Sequence, residues 1–511
     1  MVEIRQDPAG RFPLKPLVAA DEAAALDART RDEAGVPEAA LMENAAAGMQ
    51  AALASRGLAG GVVTALVGRG NNGGDASAVL RRLAFESAGG PGPELRIILS
   101  SGEPSGLAGS QLKAARARGI AALSWEADEA ACRDLLSRSS LILDGIAGTG
   151  LSGPLRPREA ALAEAAAASG AVIAAVDVPS GCGDGIPPGS PVLRADWTLC
   201  VEPLKACLYR PAARPRAGRI VPISGVFPRD AGEDSRIRLL EPGDLPALVP
   251  PLRPEAHKYE RGHCLVFAGD VGTSGAAVLA ARGAAAGGAG LVTLYVRPAL
   301  WTAAAASLAG EIVKPLPEAA SALDLSRAGA AVAGPGWGRD GQAAAILRRL
   351  WDSPLPLVLD ADALALLGDL DPPAREVPLV LTPHPGEAGR LAGTPVPDLL
   401  RDPEDTLGDL CRRWNAVVVF KSCVTWISTP DGRTAVHDGM DGSLAVGGSG
   451  DVLAGLCGAL LARGLAPFEA ARAAVLAHGR AGAAARTALG HYGADALPGF
   501  AGRILGGLHD Q

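Results

Sequence analysis

Gly447-Gly448-Ser449-Gly450-Asp451 runs directly into Val452-Leu453-Ala454-Gly455-Leu456, a glycine-rich turn opening an apolar helix. The glycines let the main chain adopt positive φ and come close to a ligand. The unpaired N–H groups and the dipole at a helix N-terminus favour an anion, phosphate above all. Asp451 is the odd member, since a carboxylate repels phosphate. Its place is explained if it draws a proton from a hydroxyl that attacks a terminal phosphorus. A plain N-cap with an acidic first turn would produce the same pentapeptide without any ligand.

Outward from that turn, short β-branched runs alternate with Ala-rich helical stretches along the whole chain. This is the pattern of parallel sheets covered by helices, and it predicts an α/β fold. In the first half, strands are expected at residues 62–67, 95–99, 141–143 and 172–176. The second half repeats the pattern at 264–268, 291–296, 331–333, 357–359, 379–381 and 417–420. Between Pro222 and Pro254 the alternation fades into a polar stretch at 228–234, which reads as a linker and places a boundary near residue 235, dividing the chain into 1–235 and 236–511. In open α/β sheets ligands collect at the carboxyl ends of strands, and most of the candidate motifs follow a predicted strand.

Length and composition set the bounds. A chain of 511 residues is too long for one ordinary domain, and 48% hydrophobic against 20% charged residues suffices for large cores. The net charge of -7 argues against a nucleic-acid groove and an anionic membrane surface. Eight cysteines without a CxxC pair fit neither a zinc site nor a disulfide framework, and read as reduced thiols. Residues 1–7 lack an apolar core, and the Ala-rich stretches are interrupted before they would span a bilayer; a soluble cytoplasmic protein is expected. Lysine is rare beside arginine, with only Lys15, Lys113, Lys205, Lys258, Lys314 and Lys421, so a lysine inside a motif is worth testing.

The second half carries Gly269-Asp270-Val271-Gly272-Thr273-Ser274-Gly275, Gly334-Pro335-Gly336-Trp337-Gly338, Asp360-Ala361-Asp362-Ala363-Leu364, Thr382-Pro383-His384-Pro385-Gly386-Glu387 and Lys421-Ser422-Cys423-Val424-Thr425. Singly, His384 reads as a satisfied loop histidine, Asp360 and Asp362 as a solvated helix start, and Lys421 as a strand-end charge. Together with the anion-binding turn they describe a site for a nucleotide and a second polar substrate. The first half carries Gly68-Arg69-Gly70-Asn71-Asn72-Gly73-Gly74-Asp75, the run from Asp144 through Gly148-Thr149-Gly150-Leu151-Ser152-Gly153, and Asp177-Val178-Pro179-Ser180-Gly181. Asn72, Asp144 and Ser180 offer oxygen ligands to a hard cation. A simple turn at 71–75 is the competing reading, since Asn, Gly and Asp all tolerate left-handed geometry.

On these motifs, with Lys258 and Arg261-Gly262, the half from about residue 240 onward resembles the dehydratase that repairs hydrated NADH and NADPH, a branch of the ribokinase-like superfamily. The resemblance implies a ribokinase-like α/β domain in which ADP, with magnesium, gives up its terminal phosphate while water leaves the hydrated nicotinamide ring. Asp451 would then activate the ring hydroxyl, with Gly336 and His384 also facing the hydrated cofactor. Lys421, Ser422, Cys423, Val424, Thr425 and Gly450 would face ADP. Residues 15–230 resemble the epimerase that interconverts the R and S forms of the same hydrates, on Leu41-Met42-Glu43-Asn44-Ala45 and the loops above. That implies a Rossmann-like three-layer αβα sandwich, potassium at Asn72, Asp144 and Ser180, and substrate contacts along Asn71, Asn72, Gly73, Gly74 and Asp75, from Gly148 to Pro154, and at Asp177, the candidate proton-handling group. Two positions depart from the families' usual glycine, Ala76 and Ser422. The resemblance makes NADHX, NADPHX and ADP the expected partners, in a homo-oligomer. A ribokinase-type small-molecule kinase, fused to a non-catalytic binding module, is the alternative.

Overall fold

The computed structural model describes residues 15–86, 92–187, 189–228 and 230–509, so the reading of residues 1–7 lies outside it. The described chain forms two compact units, Lys15–Ile237 and the part from Arg238 onward. The polar stretch expected to link them turns back on the first unit, where the Ser235 hydroxyl donates to the Leu17 carbonyl at 2.6 Å.

In the first unit β1 (Val62–Val67), β2 (Glu94–Leu99), β3 (Ala121–Ser124), β4 (Leu141–Gly145), β5 (Val172–Val176), β6 (Trp197–Val201) and β7 (Arg219–Ile223) form one sheet in the order β3-β2-β1-β4-β5-β6-β7, parallel throughout. Along β1 the side chains alternate between two cores: Val63, Ala65 and Val67 join one cluster, while Leu66 joins the other. Helices therefore cover both faces, giving the expected three-layer sandwich. The winding reverses between β1 and β4, and the crevice of a doubly wound sheet opens at the carboxyl ends of those strands.

The second unit places β8 (His263–Phe267), β9 (Leu291–Val296), β10 (Ile312–Pro315), β11 (Ala330–Ala333), β12 (Leu357–Leu359), β13 (Leu379–Leu381), β14 (Val417–Phe420), β15 (Val424–Ser428) and β16 (Thr434–Asp438) in the order β10-β9-β8-β11-β12-β13-β14-β15-β16. Strands from β10 to β14 run parallel, and β15 and β16 are added as an antiparallel ladder. Six of these strands carried no expectation, β3, β6, β7, β10, β15 and β16, nor did the short strands Lys15–Val18, Leu204–Lys205 and Ile237–Leu239. The run Lys421–Thr425 accordingly straddles a hairpin, with Val424 fully buried in β15 and its amide and carbonyl both bonded to the Ser422 hydroxyl.

The helix Ser449–Ala462 is buried continuously from Val452 to Ala462. It lies so close to the helix Ser274–Ala286 that a Cβ on Gly455 would stand 2.1 Å from the Ala280 carbonyl oxygen. This contact fixes the helix along its axis, and hence the height at which its N-terminus meets the sheet. Gly455→Ala should destabilise the second unit by about 1–3 kcal/mol, the usual cost of overpacking, read from urea unfolding. Unchanged stability would show that the helices separate freely.

Candidate functional site

In the first unit β1 ends at Gly68, where a Cβ would fall 1.8 Å from the Ile146 carbonyl oxygen, so only glycine lets the two loops close together. The helix Asn71–Glu86 begins three residues later, and its N-terminus opens on a cavity of about 780 Å³. Asn71, Asn72, Asp75, Gly148, Thr149, Gly150, Leu151, Ser152, Pro154 and Asp177 all line it. Gly73, Gly74 and Gly153 do not. The first two are packing positions, where a Cβ would strike Gly68 or the side chain of Met42 and the Ala108 backbone. Ala76 sits inside the helix and fully buried, a conformation that costs alanine nothing.

The cavity also holds residues that carried no site expectation: Asp27 and Arg31 from the helix Ala20–Asp32, Glu38, and Lys205. Lys205 Nζ lies 2.8 Å from Asp177 Oδ1 and donates to the Val201 carbonyl at 2.7 Å. Despite burial, the Asp177 carboxylate beside it holds its ammonium well above the ordinary lysine range. Asp177 Oδ1 also accepts from the Val201 amide at 3.0 Å, with its own backbone left-handed at φ +63°. Burial pushes the Asp75 carboxyl well up, and Asp177, Asp27 and Glu38 push the same way against Lys205. Lysine rarity was the signal for Lys205. Asp27 and Glu38 are lone acids on Ala-rich helices and gave none.

Asp144, at the end of β4, is fully buried. Its Oδ1 accepts from the Ser180 hydroxyl at 2.5 Å and from the Ile146 amide at 3.3 Å, and its Oδ2 from the Ser180 amide at 2.7 Å. Among the described residues no cationic side chain pairs with it, and burial raises its carboxyl to about 6. The Asn72 amide is held beside Gly148, with its Nδ2 buried and without a partner. An oxygen-rich group around an uncompensated buried carboxylate fits a hard monovalent cation.

In the second unit the ends of β12, β13 and β14 bring Asp360, Thr382 and Lys421 to the N-terminus of the helix Ser449–Ala462. Among the described residues the amides of Gly450 and Asp451 have no hydrogen-bond acceptor, which leaves them to an anion. Lys421, at the end of β14, puts its Nζ 3.3 Å from where a Cβ on Gly450 would stand and 2.6 Å from Asp360 Oδ1. Burial, then the Asp360 charge, raise the Asp451 carboxyl to about 6 against the pull of Lys421. A base with that affinity is ionised at neutral pH and still accepts a proton readily.

His384 caps the helix Pro385–Ala392: its Nδ1 accepts from the amides of Gly386 and Glu387 at 3.0 and 3.3 Å, while Glu387 accepts from the His384 amide at 2.9 Å. Its Nε2 lies 3.4 Å from Glu387, and the side chain is exposed. Gly336 has φ +53°, and its carbonyl accepts from the Thr273 hydroxyl at 2.7 Å. Ser422 is outside the left-handed region and its hydroxyl bonds the Val424 backbone, so glycine is not required there. Cys423 is exposed beside it, and Thr425 is partly buried in β15.

A family model described as NAD(P)H-hydrate dehydratase matches residues 264–497, and one described as YjeF-related protein N-terminus matches residues 38–207. The bifunctional NAD(P)H-hydrate repair enzyme of Gloeobacter violaceus is 40% identical over 372 residues, covering 68% of this chain and 72% of that protein. The chain belongs to the bifunctional NAD(P)H-hydrate repair enzymes. The repair enzyme of Mycobacterium leprae is 34% identical over 434 residues, 80% of this chain and 86% of that one. Among solved structures, the ADP/ATP-dependent NAD(P)H-hydrate dehydratase of Bacillus subtilis, co-crystallised with ATP and magnesium, is similar at 28% identity, covering 53% of this chain and 98% of that one, with a TM-score of 0.49.

In this repair-enzyme chain the raised Asp144 carboxyl binds its proton more tightly folded than unfolded. Its cost to stability is absent below about pH 4, grows as pH rises toward 6, and is complete above that, at roughly 3 kcal/mol. In potassium-free buffer Asp144→Asn should therefore flatten the fall in stability of the first unit between pH 4 and pH 7, followed by thermal unfolding. Parallel pH profiles for wild type and variant would refute the burial of an unpaired charge.

Proposed function

We propose that the chain epimerises hydrated NAD(P)H in its first unit and, in its second, dehydrates the S form back to NAD(P)H with ADP as phosphoryl donor. The observation that carries the reading is the Asp451 carboxylate at the head of a helix whose first amides are free, beside the Lys421 ammonium. The free amides of Gly450 and Asp451 and the Lys421 charge suit a migrating phosphoryl group, and Asp451 is poised to take the proton of the attacking hydroxyl. The ring oxygen bonds to the outer phosphorus of ADP as the bridging oxygen leaves with AMP. The C–O bond of the ring then breaks, phosphate departs with the electron pair, and loss of a neighbouring ring proton restores the dihydropyridine. Phosphorylation replaces hydroxide, a poor leaving group, with phosphate.

Gly336 and His384 are assigned to the hydrated ring, and Lys421 to Thr425 with Gly450 to ADP, whose phosphate oxygens would carry magnesium. In the first unit the cavity loops Asn71–Asp75 and Gly148–Pro154 receive the same hydrates, and Asp177 handles the proton at the ring carbon. Asn72, Asp144 and Ser180 would hold potassium, whose charge would offset that of the buried carboxylate. The two activities on one chain are chemically matched, because a dehydratase selective for one stereoisomer needs the other converted. We place the enzyme in the cytoplasm; no helix among the described residues is long and apolar enough to cross a membrane.

Asp451→Asn should reduce ADP-dependent recovery of NADH absorbance from hydrated NADH by about 100- to 10,000-fold, the usual weight of a general base, while exchange of the R and S forms continues at the wild-type rate. Recovery at the wild-type rate would remove Asp451 from the mechanism.

A further inference from the structure

Asp360 follows β12 at the N-cap position of the helix Ala361–Leu370. An aspartate there ordinarily accepts from one of the first amides of its own helix, yet Asp360 makes no such cap. Its carboxylate turns away, and Oδ1 accepts from the Thr382 hydroxyl at 2.8 Å and from Lys421 Nζ at 2.6 Å. The residue is 2% exposed. Ala361, next in the chain, stands at φ +47°, a left-handed conformation that alanine adopts only at a cost and that marks sites where the surroundings dictate geometry.

Lys421 is fixed from two directions. Its amide donates to the Pro383 carbonyl at 2.9 Å, and its ammonium lies between Asp360 and the Gly450 turn. Asp451 is the competing anion close by. An ammonium paired with Asp451 would neutralise the base and leave the phosphoryl position.

We propose that Asp360 is a positioning residue: it holds the Lys421 ammonium beside Gly450, facing the outermost phosphoryl group of the nucleotide, and keeps that cation from pairing with Asp451. The inference rests on the dehydratase reading for its substrate and on the hydrogen bonds above for its geometry. Burial and the Asp360 charge both raise Asp451, and Lys421 lowers it. Removing the Asp360 charge therefore lowers Asp451 twice, by ending a repulsion and by releasing the ammonium. Glu387, His478 and Cys457 are the other titratable groups that interact with Lys421 or Asp360, and all three stay in place in the variants below.

The test is Asp360→Asn in the full chain, with dehydration followed against pH, ADP affinity followed by calorimetry, and the urea unfolding transition of the second unit reporting that this unit is folded. Loss of a charged hydrogen bond should weaken ADP binding by about 10-fold or more. The acid limb of kcat/KM for dehydration, expected near pH 6 in the wild type from the buried Asp451 carboxyl, should move down by about one unit. Asp360→Glu keeps the charge but not the reach, so its acid limb should stay put while ADP binding weakens; it decides the matter if the asparagine variant fails to fold. Wild-type ADP affinity with an unmoved acid limb in Asp360→Asn overturns the proposal, as does wild-type ADP affinity in Asp360→Glu if only that variant folds. A wild-type chain that binds ADP and dehydrates nothing removes the dehydratase reading instead, and ADP affinity alone then decides the role of Asp360.

Discussion

The approach of the helix Ser449–Ala462 to the helix Ser274–Ala286 leaves no room for a side chain at Gly455, where the Ala280 carbonyl would lie 2.1 Å from a Cβ. That constraint, with the matching approach of Gly283 to the Val452 carbonyl, sets how far the central helix reaches toward the strand ends. Asp360, Thr382 and Lys421 arrive from the carboxyl ends of β12, β13 and β14, and they meet Gly450 and Asp451 only because the helix stops at that level. The abundance of alanine and glycine in this half is thus a packing requirement as much as a compositional bias, since small residues permit close helix contact.

The two units handle buried charge in different ways. In the second unit, Asp360 and Lys421 neutralise each other, and Asp451 is left raised to about 6 by burial and its acidic neighbour. In the first unit, Lys205 is paired with Asp177, whereas Asp144 has only hydroxyl and amide donors. Pairing holds a group charged, and burial without a partner pushes a carboxyl toward its neutral form. Groups tuned apart in this manner are what acid–base chemistry at neutral pH requires.

Much of this was legible in the sequence because the motifs sit on strand ends, and strands buried on both faces read as uninterrupted apolar runs. The ten expected strands are all present, within about one or two residues of their expected limits, as is usual for element ends. The missed strands are of another kind. β10, Ile312–Pro315, is largely exposed and ends in proline, and β15 and β16 mix polar and aromatic residues in an antiparallel ladder. The loops bearing Asn71, Gly148 and Asp177 did gather around one cavity. Asp27 and Glu38 were invisible because a lone acid on a polar helix face has no signature, and only the fold brings it opposite Lys205. The capping role of His384, which holds a helix start with the nitrogen nearer its backbone, was likewise beyond reach, since capping depends on a rotamer rather than on spacing.

The left-handed backbone at Asp177 restricts which replacements are informative there. Asparagine and glycine occupy that region of φ readily, whereas a β-branched side chain is strained in it. Asparagine would thus be an isosteric control that alters charge alone. Inactivity of a valine or isoleucine variant, by contrast, would confound lost chemistry with a displaced main chain, and a mutational scan at this position would overstate the carboxylate's own share.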